Sequence, residues 1–258
     1  MLNLFTHFKD KSSWTYNDFE SAQTYIKYVE SVSGQFERKL ISKAIFSHLP
    51  ENKESYVLDA ACGTGWLTKL LAEKYEKVLG CDSSLPLLDY ARKNNPENCT
   101  FVEASILEKI PILERPYDSA IICLAIHDVK NPPEAYAQVE KILKDNGKLI
   151  VVVANPYYSF PVGVWKRGIW GKIFGGKTHL RLQPYNKLAR GRRDFNWKKS
   201  IPSYFCTLPE IINSALTSGF ELEKMEEIIT DEKRGLADRK RQLFMFPMIL
   251  LFVFQKRK

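Results

Sequence analysis

Residues 57–65 read Val57-Leu58-Asp59-Ala60-Ala61-Cys62-Gly63-Thr64-Gly65, and a second apolar run, Lys77–Cys81, closes on Asp82 seventeen residues after Gly65. The short apolar run Tyr56–Leu58 predicts a buried strand, and the amphipathic stretch Trp66–Lys74 predicts a helix after a turn of small residues. Small residues let a ligand approach the backbone, because no large side chain intervenes. The first turn of the helix adds unsatisfied N–H groups beside that turn. Asp82 then stands at the end of the second strand, where a carboxylate can accept two hydrogen bonds from a ribose diol.

Two cofactor classes compete for such a turn. A dinucleotide fold asks for Gly-x-Gly-x-x-Gly with its third glycine inside the helix, and here the residue three past Gly65 is Thr68. The stretch instead resembles motif I of class I S-adenosylmethionine-dependent methyltransferases, Leu-Asp-x-Gly-x-Gly-x-Gly, with Ala61 where that family often has its first glycine. Later segments follow the family in order. Phe101–Ser105 reads as a third strand, with Ser105 where the family often has Asp. Tyr117–Val129 resembles motif IV, a strand emptying into a loop at Ile126-His127-Asp128. The resemblance spans about residues 36–156 and implies S-adenosyl-L-methionine as cofactor and S-adenosyl-L-homocysteine as product. It further implies that Asp59, Ala61, Cys62, Gly63 and Gly65 cradle the methionine end and that Asp82, with Ser83, holds the ribose. Ser105 and Ile106 would flank the adenine, and Leu124 would pack beneath the cofactor.

Strands and helices alternate from residue 56 to 154, which argues for a parallel sheet with right-handed crossovers. Ligands bind such sheets beyond the carboxyl ends of the strands, and Asp59, Asp82, Ser105 and His127 all fall at those ends. Pro132–Lys144 predicts a helix, Lys148–Ala154 a solid apolar strand, Leu208–Thr217 a helix, and Phe220–Ile228 and Met248–Gln255 the last two strands. The expected fold is α/β, a Rossmann-like seven-stranded sheet sandwiched by helices. Its strand order, 3-2-1-4-5-7-6 with an antiparallel last strand, is what the resemblance implies. Expected divisions are a helical N-terminal arm, 1–50, the cofactor-binding core, 51–156, a basic aromatic cap, 157–207, and the C-terminal part of the sheet, 208–258. In the arm Phe19, Ala22, Tyr25, Ile26 and Val29 recur at helical spacing, so a docked helix is expected there. Arg38 is read either as a solvated residue or as a partner for a cofactor carboxylate.

The chain has 258 residues, enough for one domain with a cap, and its 45% hydrophobic and 26% charged content is ordinary for a soluble globular protein. Cys62, Cys81, Cys99, Cys123 and Cys206 form no Cys-x-x-Cys pair and read as reduced core or turn thiols. Met1–Asp10 lacks a basic start followed by an apolar run, and the apolar run Leu243–Phe254 is too short to span a bilayer. A cytoplasmic protein is expected, with peripheral membrane contact through the cap left open. No Cys or His cluster has metal-ligand spacing, so no metal is expected.

The net charge of +8 belongs to one segment. Residues 157–207 carry eleven Lys and Arg against the single acid Asp194, so the rest of the chain is slightly acidic. Trp165, Trp170 and Trp197 lie there too, along with several Tyr and Phe. An anionic or amphipathic small acceptor gripped by Arg forks, a membrane-surface lid, a nucleic-acid groove and a merely solvated loop all fit this composition. Methyl transfer from a sulfonium needs mainly proximity and orientation, with a base where an O or N nucleophile carries a proton. His127 is the candidate base and Asp128 its substitute. No Asn-Pro-Pro-Tyr pattern follows the fourth strand, which argues against a nucleobase acceptor. The reading is methyl transfer to an O, N or C nucleophile of a small acceptor. Its alternatives are an RNA-directed methyltransferase using the basic cap and a non-catalytic cofactor-binding scaffold. Intact Asp59, Gly63, Gly65 and Asp82 argue against the scaffold.

Overall fold

The structure is a computed structural model that describes residues 16–158, 163–167, 178–182, 191–196, 199–203, 206–229 and 246–258. Two helices come first, α1 (Phe19–Glu30) and α2 (Val32–Phe46). The Asp18 carboxylate accepts from Ser21 N at 2.8 Å and the Ser31 hydroxyl from Gly34 N at 3.2 Å, so each helix starts on a side-chain cap. The alternating core follows: β1 (Tyr56–Ala60), α3 (Trp66–Ala72), β2 (Lys77–Asp82), α4 (Leu85–Asn94), β3 (Thr100–Glu103), β4 (Tyr117–Cys123), a 3-10 turn (Ile126–Asp128), α5 (Pro132–Ile142) and β5 (Leu143–Ala154). Four short strands make two hairpins, β6 (Gly163–Arg167) with β7 (Thr178–Leu182) and β8 (Gly191–Asn196) with β9 (Lys199–Ser203). The chain closes with α6 (Leu208–Thr217), β10 (Phe220–Ile228) and β11 (Ile249–Lys256).

The sheet order is β3-β2-β1-β4-β5-β11-β10. Counted within the sheet, this is the expected order 3-2-1-4-5-7-6. β1 through β5 run parallel, and β11 enters antiparallel to both β5 and β10. Residues of alternate parity serve opposite faces. Leu58, Ala60, Leu79, Ala120, Ile122 and Val151 pack with Tyr136 and Val139 of α5 and Ile211 of α6. Val57, Val78, Ile121, Ile150 and Val152 pack with Ile41 and Ile45 of α2 and Leu67 and Leu71 of α3. β11 is apolar at every position from Ile249 to Phe254 because both its faces are covered, and all six residues are buried. The stretch Leu243–Phe254 thus ends in a core strand. No helix among the described residues is long and apolar enough to cross a membrane.

Three expectations shift. The helix predicted over Pro132–Lys144 stops at Ile142, because Leu143 pairs with Tyr117 in the sheet and Asn146, at φ 59°, kinks the strand before Ser119 pairs with Lys148. The third strand ends at Glu103, which leaves Ser105 in the following turn. In the arm Ala22, Ile26 and Val29 are buried as the spacing predicts, but Phe19 is 69% exposed. It sits at the first position of α1, ahead of the packed stripe. Trp170 and Trp197 of the cap lie outside the described residues, as do residues 230–245 and the side chains of β6 to β9.

Candidate functional site

The turn after β1 places three alternate residues in the left-handed backbone region, Ala61 at φ 60°, Gly63 at 54° and Gly65 at 72°. Such a run is costly for side-chain-bearing residues, and only Ala61 bears one. The two glycines serve different purposes. A Cβ on Gly65 would lie 2.6 Å from the Phe101 ring and 2.9 Å from Asn95 Nδ2, so Gly65 is needed for packing against β3 and α4 and for starting α3. A Cβ on Gly63 would meet Tyr25 of the arm, at 3.5 Å, and Leu87, at 3.9 Å, both at ordinary contact distance. Gly63 is the less crowded of the two, and the arm covers it.

Asp82 holds this turn in place. Its Oδ2 accepts from Gly63 N and its Oδ1 from Ser84 N, both at 2.8 Å. Burial pushes the carboxyl up, and the N–H groups of Ser84, Gly63 and Ser83 pull it back. A carboxylate offers about four lone-pair sites, so after the bonds from Ser84, Gly63 and Ser83 Asp82 retains capacity for about one further donor, such as a ribose hydroxyl. Ser83 itself is exposed at the rim, and the Ser84 hydroxyl caps α4 and donates to Tyr16 O at 2.6 Å.

Asp59 is turned away from this surface. It has the parity of Val57, faces α3, is 1% exposed and accepts from the Thr68 hydroxyl at 2.6 Å. Burial raises its carboxyl to about 7 against the pull of that bond. A Cβ on Gly80 would stand 2.7 Å from Thr68 Oγ1, so a glycine on β2 leaves room for the bond. Thr68, at the place where a dinucleotide fold carries its third glycine, is therefore a partner that the sequence pattern displayed without revealing its purpose. Cys62 is buried in the turn, its thiol driven up by burial, and its N–H donates to Cys81 O at 2.9 Å. Arg38 neither floats in solvent nor stands alone. It stacks over Trp66 at 5.7 Å, lies 3.6 Å from Glu30, and lines a cleft of about 640 Å³ behind the turn with Thr64, Lys69, Tyr90 and Asn95.

At the next strand end, Ser105 Oγ accepts from Leu107 N at 3.1 Å and Ile106 is buried in the core. At the end of β4, Leu124 takes φ 54° while its N–H donates to Val152 O at 2.8 Å. This non-glycine backbone outlier turns the chain into the 3-10 turn that carries His127 and Asp128. His127 is buried, and its Nε2 lies 3.9 Å from Asp128 Oδ2. Tyr16 donates its hydroxyl to the same Oδ2 at 3.3 Å.

The arm closes the front. Tyr25 lies over Gly63, edge-to-face with Tyr16 at 5.3 Å, and burial raises its phenol, with Cys123, Asp82, Asp128 and Glu37 adding to the shift. β9 lies beside the 3-10 turn and β8 beside α1, so the second cap hairpin packs against the arm and the turn that carries His127. Periodicity pointed to Tyr25 only as a helix-face residue. Nothing in the sequence pointed to Tyr16, which reaches Asp128 across 112 residues of chain.

These features suit a sulfonium nucleoside cofactor. They combine a left-handed glycine turn, an acid bound to it at the next strand end and a buried His beyond the fourth. Among the described residues no group of three or more His, Cys, Asp and Glu could hold a metal ion.

Comparison with known proteins bears on the same region. Residues 58–151 match the family described as a methyltransferase domain. An uncharacterised protein of Haemophilus influenzae is 28% identical over 191 residues, 71% of this chain and 74% of that one. A malonyl-[acyl-carrier protein] O-methyltransferase of Hahella chejuensis is 24% identical over 154 residues, 59% of this chain and 54% of that one, so the chain spans about half of that enzyme. The crystal structure of an S-adenosylmethionine-dependent methyltransferase from Mesorhizobium loti superposes with a TM-score of 0.68 at 26% identity, covering 83% of this chain and 96% of that one.

Proposed function

We propose that this chain, an S-adenosylmethionine-dependent methyltransferase by its domain and fold, methylates an O or N nucleophile of a small anionic or amphipathic acceptor held between the 3-10 turn and the cap. The observation that supports this reading is the pairing of Asp82 with Gly63, a carboxylate bound to a left-handed glycine turn at the strand ends. The bound cofactor would supply an electrophilic methyl group on a sulfonium. The work left to this chain is binding, orientation and proton handling. The N–H groups of the 61–65 turn and the Asp82 carboxylate would bind and orient the methionine and ribose parts. Ile106 and Ser105 would border the adenine, and Leu124 would support the cofactor from below.

His127, buried at the mouth of β4, would take a proton from the acceptor. Asp128, held by Tyr16, would orient that imidazole or replace it. The relative in Hahella chejuensis is named for an acyl-carrier-bound malonyl carboxylate. An anionic acceptor of that kind would also suit the ten net positive charges of residues 157–207. C-methylation remains compatible with the same site, because His127 could equally remove a proton from an activated carbon.

Replacement of His127 by Ala is expected to lower turnover by about 100-fold, the usual contribution of a positioned base, while the affinity for S-adenosylhomocysteine changes by less than about threefold. Single-turnover kinetics beside calorimetry makes the measurement, and an unchanged rate would remove His127 from the mechanism. The acceptor class is tested by assaying methyl incorporation into carboxylated acyl thioesters, anionic phospholipid or quinol vesicles and short RNA. Incorporation into RNA alone would overturn the small-acceptor reading.

A further inference from the structure

The hydrogen bonds of the two strand-end turns form one continuous chain. Gly63 N donates to Asp82 Oδ2 at 2.8 Å, and Asp82 Oδ1 accepts from Ser84 N at 2.8 Å. The Ser84 hydroxyl donates to Tyr16 O at 2.6 Å. The Tyr16 hydroxyl donates to Asp128 Oδ2 at 3.3 Å, and His127 Nε2 lies 3.9 Å from that same oxygen. The chain leads from the turn after β1 to the turn after β4, and it passes through the N-terminal arm rather than through the sheet.

Its middle is held firmly. Asp18, two residues after Tyr16, accepts from the N–H of Ser21 at 2.8 Å and from its hydroxyl at 2.9 Å, which fixes the entry to α1. Ala22 and Ile26 of α1 pack with Leu87 of α4, and Leu87 N donates to the Ser84 hydroxyl at 3.3 Å. The Tyr16 ring meets Tyr25 edge-to-face at 5.3 Å. The links differ in length, however. O–H···O bonds centre on about 2.7–2.8 Å. The bond from Ser84 to Tyr16 is fully drawn in at 2.6 Å, whereas the bond from Tyr16 to Asp128, at 3.3 Å, is the slack member. Hydrogen bonds that serve catalysis are often long until the reacting complex forms. The one adjustable link therefore falls on the carboxylate beside His127. A ligand shifts an equilibrium only between states that differ, and a bond that can stand slack or drawn in supplies two such states.

We propose that Tyr16 is a positioning residue that couples the ribose end of the cofactor site to the acceptor side. A donor arriving at Asp82 draws Ser84 and the arm inward, the bond from Tyr16 to Asp128 shortens, and Asp128 is brought to bear on His127. The proposal deepens the functional reading above and rests on it. It adds an order of events, cofactor before acceptor, because the turn that takes the acceptor's proton is set only once the ribose site is filled.

The test follows the His127 imidazole by NMR in the full chain labelled with ring-carbon-13 histidine. His127→Gln assigns the resonance among the four histidines, and His48 serves as internal reference. The ligand is adenosine, which carries the ribose diol but no methionine chain to reach the β4 turn. Its entry into the site is followed by displacement of S-adenosylhomocysteine in calorimetry. Adenosine is expected to move the His127 resonance in wild type and in Ser84→Thr, which keeps the hydroxyl. The movement is expected to be lost in Tyr16→Phe, which lacks only one oxygen, and in Ser84→Ala, which breaks the chain one link earlier. Tyr16→Phe is expected to bind S-adenosylhomocysteine within about threefold of wild type, with a thermal melt as folding control. A resonance that moves in either broken-chain variant as it does in wild type would overturn the proposal and leave Tyr16 a fastening of the arm. A wild-type resonance that stays still while adenosine displaces S-adenosylhomocysteine would overturn it too, as would adenosine that displaces nothing. Failure of wild type to bind S-adenosylhomocysteine would instead overturn the cofactor-site reading, and calorimetry tells the two failures apart.

Discussion

Replacing Asp82 with alanine is expected to reduce affinity for S-adenosylhomocysteine by at least about 100-fold, corresponding to about 2.7 kcal/mol. Two losses combine. The Oδ2 bond to Gly63 N at 2.8 Å fixes the middle of the turn, and the Oδ1 bond to Ser84 N at 2.8 Å fixes the start of α4. Hydrogen bonds to charged groups contribute about 1.5–3 kcal/mol each, and their removal also unpairs a part-buried N–H. The same substitution deletes the acceptor proposed for the ribose diol. Asp82→Asn separates the two effects. An amide oxygen can still accept from one N–H, so the asparagine protein should melt close to wild type while binding remains weak, whereas the alanine protein should lose both. Calorimetry with S-adenosylhomocysteine beside a thermal melt makes the comparison. Affinity within about threefold of wild type in the alanine variant would move the ribose site away from Asp82.

A second large effect concerns stability and is opposite in sign to ordinary core substitutions. Asp59 is a carboxyl at 1% exposure with one side-chain hydrogen-bond donor, Thr68, and burial raises it from 3.8 to about 7. Between these two values the folded chain keeps a proton that the unfolded chain has released, so the folded state is destabilised progressively as pH rises from about 4 to about 7. Each unit corresponds to about 1.4 kcal/mol, and relaxation of the surroundings brings the expected total to about 2–4 kcal/mol above pH 7. Asp59→Asn has nearly the same shape, still accepts from the Thr68 hydroxyl and carries no charge to bury. At pH 8 it is therefore expected to raise the melting temperature by about 5–12 °C, and at pH 4 to change it by less than about 2 °C. Thr68→Val, which removes the hydroxyl donor and leaves the carboxyl only the residue-68 backbone N–H, should lower stability at pH 8 by about 1–3 kcal/mol. Melting curves of the three proteins at the two pH values decide the matter. A pH-independent effect of Asp59→Asn would mean that the carboxyl is not held up by burial, and destabilisation at pH 8 would mean that its charge contributes favourably to the fold.

Much of the architecture was legible because it rests on periodicity and on local chemistry. The helix Leu208–Thr217 and the strand Phe220–Ile228 fall where the pattern places them, since Thr207 and Glu210 form a capping box and Ser218-Gly219 ends the helix. The glycine turn and Asp82 were legible for a similar reason, being set by backbone geometry and spacing across one strand–helix–strand unit. Where local propensity met a tertiary constraint, the constraint prevailed. Lys144 is a good helix former, yet the chain is already extended there because Leu143 pairs with Tyr117 and Lys144 joins the Asp118 carboxylate.

Asp59 shows what spacing cannot decide. Standing at a strand end made it look like a ligand-facing acid, whereas the parity it shares with Val57 and the donor on α3 turned it into the interior. The sequence by itself determined the order of elements, the left-handed turn that glycines permit and the acid that follows it, because each depends on neighbours within a few tens of residues. Only the tertiary structure decided that Gly65 serves packing while Gly63 lies under Tyr25, that Asp59 accepts from Thr68, and that Tyr16 and Tyr25 close the front. The physical reason is that these are contacts between elements packed from distant parts of the chain, and such contacts leave no period and no fixed spacing behind.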